Sequence, residues 1–232
     1  MKVAIMVCGH MRTYKQCYTN FIDKVISPNS QHDIDVYITT SDINSGRVNL
    51  SPTITPSEEI VYDKKYYKGH GLIYKVDKQQ LSQEIEKTYT DENYTLKKII
   101  FQDEKLEENN IDPMSWEWFR RGIFSKPWAC FNSIKDPNEY DIIVRTRPDL
   151  ILRKEIYFTI KDCLSVFGGW PADDKYETRK YLADFFAFGS PKIMKNYCDI
   201  HLMKTPLPTS VKRHPFNSEN QLSLYLKKNK IN

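Results

Sequence analysis

Six consecutive apolar residues, Val3 to Cys8, end at Gly9. That unbroken run is the pattern of a strand buried on both faces, as in a parallel sheet. Thr13 stands where a helix cap belongs, and Tyr14, Cys17, Tyr18, Phe21, Ile22 and Val25 then recur at three- and four-residue spacing up to Pro28. This spacing predicts a first crossover helix. Asp35 to Thr40, rich in β-branched residues, is predicted as a second strand running into a polar turn over 41–46. Residues 47–75 carry prolines and Gly69-His70-Gly71 without a period, and read as a long loop with one short strand.

Farther along, Leu81 and Ile85 mark a helix over 77–88, and Leu96 to Phe101 a third strand. Helix is predicted from Pro113 through Trp116, Phe119, Ile123 and Phe124, kinked or divided at Pro127 and resumed through Trp128, Phe131 and Ile134. Tyr140 to Arg147 is the clearest strand in the chain and halts at Pro148-Asp149. Shorter strands are expected around 150–152, 164–167 and 185–188, then helices from Pro191 to about His201 and from Ser218 through Leu226. Strands alternating with helices, followed by a more antiparallel half, define an α/β sheet.

At 232 residues the chain is long enough for one large domain, with a first half over 1–149 and a second over 150–232. Lys and Arg number 34 against 30 acidic residues, without the dense basic stripe of a nucleic-acid binder. Five scattered cysteines with no CxxC pair argue against a disulfide framework or a zinc knuckle. No signal peptide or transmembrane run is evident, so the expected setting is cytoplasmic, with a viral or bacterial origin compatible.

The candidate chemistry sits at predicted strand ends. A buried strand that finishes in Arg145, Arg147 and Asp149 delivers charge to the crevice where α/β sheets bind ligands. Asp149 is a candidate for binding a phosphate-bridging cation, or for a plain Arg-Asp ion pair pinning the loop. Cys8-Gly9-His10-Met11-Arg12-Thr13-Tyr14 lies at the first strand-to-helix turn, where backbone amides attract nucleotide oxygens. There Gly9 allows close approach, Arg12 meets a diphosphate, Tyr14 stacks on a base and Thr39 lines the same pocket. The competing reading makes Gly9 an ordinary turn residue and His10 structural. Trp116, Trp118 and Trp128, at helical spacing, read as core, and Arg121 as a candidate contact to the diphosphate.

In three places, Val3 to Tyr14, Arg145-Thr146-Arg147-Pro148-Asp149-Leu150 and Asp184-Phe185-Phe186-Ala187-Phe188-Gly189-Ser190, the chain resembles GT-A-type glycosyltransferases of giant viruses and of bacterial capsule or lipopolysaccharide clusters. The resemblance implies a Rossmann-like GT-A fold, with a central mostly parallel sheet and a smaller antiparallel acceptor side. It implies transfer of a sugar from a nucleoside-diphosphate sugar, UDP favoured, to a glycan hydroxyl with manganese or magnesium assistance. Asp149 matches the acidic turn that holds the metal-diphosphate, although Arg147 stands where the first acid of the common Asp-x-Asp form would be. His214 matches a second metal ligand near the C-terminus, and Asp184 or Glu219 the base that deprotonates the acceptor. Glu219 is equally explained as a charge stabilising its own helix, and His214 as a surface residue. Gly168-Gly169-Trp170 is a candidate acceptor loop. A non-catalytic nucleotide- or glycan-binding module on the same fold is the alternative.

Overall fold

The computed structural model describes residues 1–45, 58–60, 73–102, 116, 120–160, 165–166, 185–208 and 218–230. Nine strands are assigned among them: β1 (Lys2–Cys8), β2 (Asp33–Thr40), β3 (Ile43–Ser45), β4 (Glu58–Ile60), β5 (Ile73–Lys75), β6 (Thr95–Phe101), β7 (Ile142–Thr146), β8 (Ser165–Val166) and β9 (Ala187–Gly189). Five α-helices accompany them: α1 (Tyr14–Phe21), α2 (Lys78–Thr88), α3 (Ser125–Ser133), α4 (Pro191–Cys198) and α5 (Ser218–Lys228). The main sheet has the order β6-β2-β1-β7-β9-β8. Its first four members run parallel, and β9 is antiparallel to both β7 and β8. The protein is thus α/β with a mostly parallel mixed sheet flanked by helices, compatible with a Rossmann-like arrangement.

Alternation along β1 decides what lies on each side of that sheet. Val3, Ile5 and Val7 face a core that includes Tyr14, Phe21, Leu81 and Ile85 from α1 and α2. Ala4, Met6 and Cys8 face a second core with Cys130 and Phe131 of α3, Met194 and Tyr197 of α4, and Leu222 and Leu226 of α5. No helix among the described residues is long and apolar enough to cross a membrane.

Several expectations need correction. Helical winding continues past α1 as a π turn over Ile22–Ile26 and a 3-10 turn over Ser27–Asn29, so Pro28 lies inside the winding instead of stopping it. A tight final turn accommodates proline because its missing N–H is needed by no earlier carbonyl. The expected turn over 41–46 contains β3, which joins β5 and β4 in a small antiparallel sheet. Pro127 falls in the first turn of α3, directly after a π turn over Arg120–Phe124, where its lost N–H costs little.

Residues 150–152 form no strand. Their backbone is satisfied by the first crossover instead: Asn20 Oδ1 accepts from Leu152 N at 2.7 Å, and Asn20 Nδ2 donates to Leu152 O at 3.0 Å. Farther on, Ile156 N donates to Lys24 O at 2.8 Å. Buried Asn29 donates to Ile156 O and accepts from Phe158 N.

Candidate functional site

The chain lays β2 and then β6 on one side of β1, and returns to place β7 on the other. That reversal makes the gap beyond the carboxyl ends of β1 and β7 a topological switch point, the usual ligand crevice of an open α/β sheet. Two loops meet there. Gly9, whose N–H donates to Thr39 O at 3.0 Å, lies against Pro148, and a Cβ on Gly9 would stand 3.0 Å from Pro148 Cδ. The close approach that this glycine permits is therefore to the loop after β7. Beyond it, Arg12 N closes a tight turn on His10 O, and Gln16 and Cys17 N–H groups donate to Thr13 O at the head of α1. The Thr13 side chain does not cap the helix; its hydroxyl lies 3.8 Å from Cys17 Sγ.

Asp149 is clasped by arginines. Arg147 Nε donates to Oδ1 and Arg147 Nη2 to Oδ2, both at 2.8 Å, a bidentate fork. Arg12 Nη2 adds an ion pair to Oδ2 at 3.0 Å. Burial pushes the Asp149 carboxyl up, but the hydrogen bonds and charge of Arg147, followed by the charge of Arg12, outweigh it and hold the group below its ordinary value. Asp149 is thus ionised at neutral pH.

Further cationic groups lie at the ends of the same strands and on α3. Lys126 of α3 is buried, and burial pushes its ammonium down to about 7, Cys8 opposing and Arg12 adding to the shift. His10 is held well below the usual imidazole range, first by burial and then by Lys126 and Arg12, with Asp149 opposing. Arg145, the partner of Met6 across the β1/β7 pair, is 3% exposed, and its Nε and Nη1 have no hydrogen-bond acceptor among the described residues. Thr39 Oγ1 at the end of β2 is likewise buried and unpaired. Charge at Arg145 is felt by the Cys8 and Cys198 thiols, yet burial keeps both thiols raised and protonated.

The structure therefore gathers Cys8, Gly9, His10, Arg12, Thr39, Arg145, Arg147 and Asp149 at one crevice. Tyr14 does not join them. Its ring is fully buried and stacked on Tyr89, centroids 6.3 Å apart and planes 13° from parallel, so no base can stack there. Its position in the same helical stripe as Cys17 and Phe21 puts it in the core. Arg121 is exposed on the π turn before α3. Asp184, His214 and the Gly168-Gly169-Trp170 loop lie outside the described residues, as does the side chain of Glu219, whose backbone opens α5. Trp116 is core, its Nε1 donating to Met203 O at 2.8 Å.

Sequence reasoning missed Lys126. Its signal is helical phase: four residues before buried Cys130 and eight before buried Ile134, it occupies a core-facing position where a cation calls for a reason.

As arranged, Asp149 does not fit a divalent cation. Both oxygens are taken by guanidinium hydrogens, and a metal ion approaching them would meet two like charges. A scan against protein-family models finds no match, and a search of curated proteins finds none.

Proposed function

We propose that the chain is a glycosyltransferase of GT-A type that moves a sugar from a nucleoside-diphosphate sugar, UDP favoured, to a hydroxyl of a glycan. The observation that carries this reading is the clasp of Arg12 and Arg147 on Asp149 at the β1/β7 switch point, with Lys126 buried within reach of Arg12 and Arg145 buried at the end of β7. Fixed positive charge at a strand-end crevice suits a ligand with an anionic tail. In the reaction, the bond between the anomeric carbon and the diphosphate oxygen breaks as an acceptor hydroxyl attacks. Arginines held in place beside the departing diphosphate lower the barrier by stabilising the charge that develops on it. Asp184 or Glu219 takes the hydroxyl proton. The family resemblance would put manganese or magnesium on Asp149 and His214, but the Asp149 oxygens engaged by Arg147 and Arg12 do not fit that ion, and the manganese and chelator arms of the binding experiment test this.

The test is a thermal-shift screen of UDP-, GDP-, CMP- and dTDP-sugars, each with manganese and with chelator, followed by a turnover assay on glycan acceptors. One nucleotide sugar raising the melting temperature, then releasing free nucleoside diphosphate only when acceptor is present, is the expected result. Binding without turnover would favour the non-catalytic module. No shift with any nucleotide sugar would end the reading.

A further inference from the structure

Arg145 and Thr39 belong to the same face of the sheet. Along β7, Arg145 follows Ile143 by two residues, and its neighbours across both ladders are Met6 of β1 and Ala187 of β9. Ile143, Met6 and Ala187 all belong to the core under α3 and α4. Thr39 follows Tyr37 of that same core and pairs with Cys8, the last residue of β1. Each is the penultimate residue of its strand, at the edge where the ligand crevice opens. Only β1 separates β2 from β7. With strands about 4.8 Å apart and a rise of about 3.3 Å per residue, the two Cα atoms stand about 12 Å apart, a gap that a long side chain, a short one and one small group fill.

Both side chains are buried and unanswered. Arg145 is 3% exposed and Thr39 0%, yet Nε and Nη1 of the first and Oγ1 of the second have no hydrogen-bond partner among the described residues. Such groups cost free energy unless a partner arrives. The charge of Arg145 reaches the thiols of Cys8 and Cys198, but burial keeps both protonated, so neither supplies a counter-charge. Charge at Asp149 is felt instead by Cys17 of α1 and by Tyr89 in the core on the other side of the sheet.

We propose that Arg145 and Thr39 form a subsite for a compact oxyanion, a phosphate or a carboxylate, on the α3 and α4 side of the switch point. The subsite goes beyond the nucleotide-sugar reading and draws on none of the groups in the Asp149 clasp. A guanidinium donates to such oxygens with charge assistance, and a hydroxyl adds one neutral hydrogen bond. Seclusion from water strengthens both contacts once the anion is in place. The anion is a phosphate, free or in a nucleotide, or the carboxylate of an acidic sugar, and the choice of probes tells which.

The test is calorimetric titration of the full chain with inorganic phosphate, pyrophosphate, UDP, UDP-glucose and UDP-glucuronate. Wild type is expected to bind at least one of these, and Arg145→Met to bind it at least about tenfold more weakly, the order of one charge-assisted hydrogen bond. Arg145→Lys, which keeps the charge on a point donor, is expected to recover part of the loss. Thr39→Val is expected to weaken binding about threefold. A deficit shared by pyrophosphate, UDP and both sugars identifies a phosphate in the subsite. A preference for UDP-glucuronate over UDP-glucose that disappears in Arg145→Met, with UDP unaffected, identifies the sugar carboxylate. Either pattern upholds the subsite.

Unchanged affinity for every probe in Arg145→Met would overturn it, as would a wild type that binds none. If a nucleotide sugar binds and turns over in Arg145→Met as in wild type, the subsite falls and the donor-sugar reading stands. Phosphate or pyrophosphate bound through Arg145, with no nucleotide sugar bound at all, gives the reverse. Should Arg145→Met fail to fold, Arg145→Lys and Thr39→Val decide, and full affinity in both overturns the subsite.

Discussion

Where β1, β2 and β7 begin, Asp35 accepts a hydrogen bond from Tyr140 Oη at 2.7 Å and an ion pair from Lys97 at 3.1 Å, and Tyr140 Oη lies 2.9 Å from Tyr37 Oη. At the same edge Lys2 pairs with Glu139, and its backbone N–H donates to Asp141. Where the same strands end, Asp149 pairs with Arg12 and Arg147, while Arg145 and Thr39 hold buried polar atoms with no hydrogen-bond partner among the described residues. The first edge is paired through and serves stability; the second keeps buried polar atoms of Arg145 and Thr39 without a partner among the described residues, the kind of perturbed group that marks a candidate site.

The sharpest way to break this contrast is to remove a charge from each edge. Asp35→Ala is expected to destabilise the fold by about 3 kcal/mol, because charged hydrogen bonds and packing are lost together. Arg145→Met is expected to act in the opposite direction, raising stability by about 2 kcal/mol by replacing a buried cation, whose Nε and Nη1 have no acceptor among the described residues, with an apolar chain of similar length. Denaturant melts of both variants read the two signs, and a loss of stability in Arg145→Met would mean that its charge is satisfied within the fold. The same variant is expected to bind UDP more weakly, the pairing of stability and function loss common at binding sites.

Acid should act next. His10 titrates below its ordinary value when folded, so the unfolded chain takes up its proton first as pH falls. Stability from this group is complete above about pH 6.5 and declines by about 1.4 kcal/mol per pH unit below it, until the folded imidazole titrates as well. Lys126, lowered to about 7, loses stability over the interval from about 10.4 down to 7 and contributes no further slope below that. Melting curves from pH 7.5 to 5.5 check the first claim. His10→Gln should flatten the curve, and saturating pyrophosphate should reduce the slope by favouring the imidazolium. The smallest effect belongs to Tyr14→Phe, which removes a 3.5 Å contact to Glu84. It is expected to cost less than about 1 kcal/mol and to leave nucleotide binding unchanged, whereas weakened binding would return Tyr14 to the ligand pocket.

Much of this architecture can be read along the chain. β1, β2 and β7 announce themselves because doubly buried strands are long apolar runs, the edge strand β6 through Ile99, Ile100 and Phe101, and α2 because Leu81 and Ile85 keep helical spacing above the Asp77 cap, which accepts from Gln80 N at 2.7 Å. The sheet of β3, β4 and β5 does not, since three-residue strands are too short for any period to register. Residues 150–152 look like a strand by composition, but Asn20, distant in sequence, supplies Leu152 with the partners that a sheet would have given. At the crevice, the identity of Arg145, Arg147 and Asp149 is plain from sequence, while the clasp between them is a matter of side-chain direction that spacing does not encode. Tyr14 was legible in one respect and misread in another, for its helical stripe already assigned it to the core.

The fastening of residues 152–158 to Asn20, Lys24 and Asn29 shapes the route of everything downstream. Having left the sheet to lie along the first crossover, the polypeptide re-enters beside β7 from the opposite direction as β9. The outward path is thereby kept off the strand flank that the returning segment occupies. Two carboxamides thus act as a guide rail, and their loss would be felt first as slippage of the 150–160 stretch and only afterwards in the sheet itself.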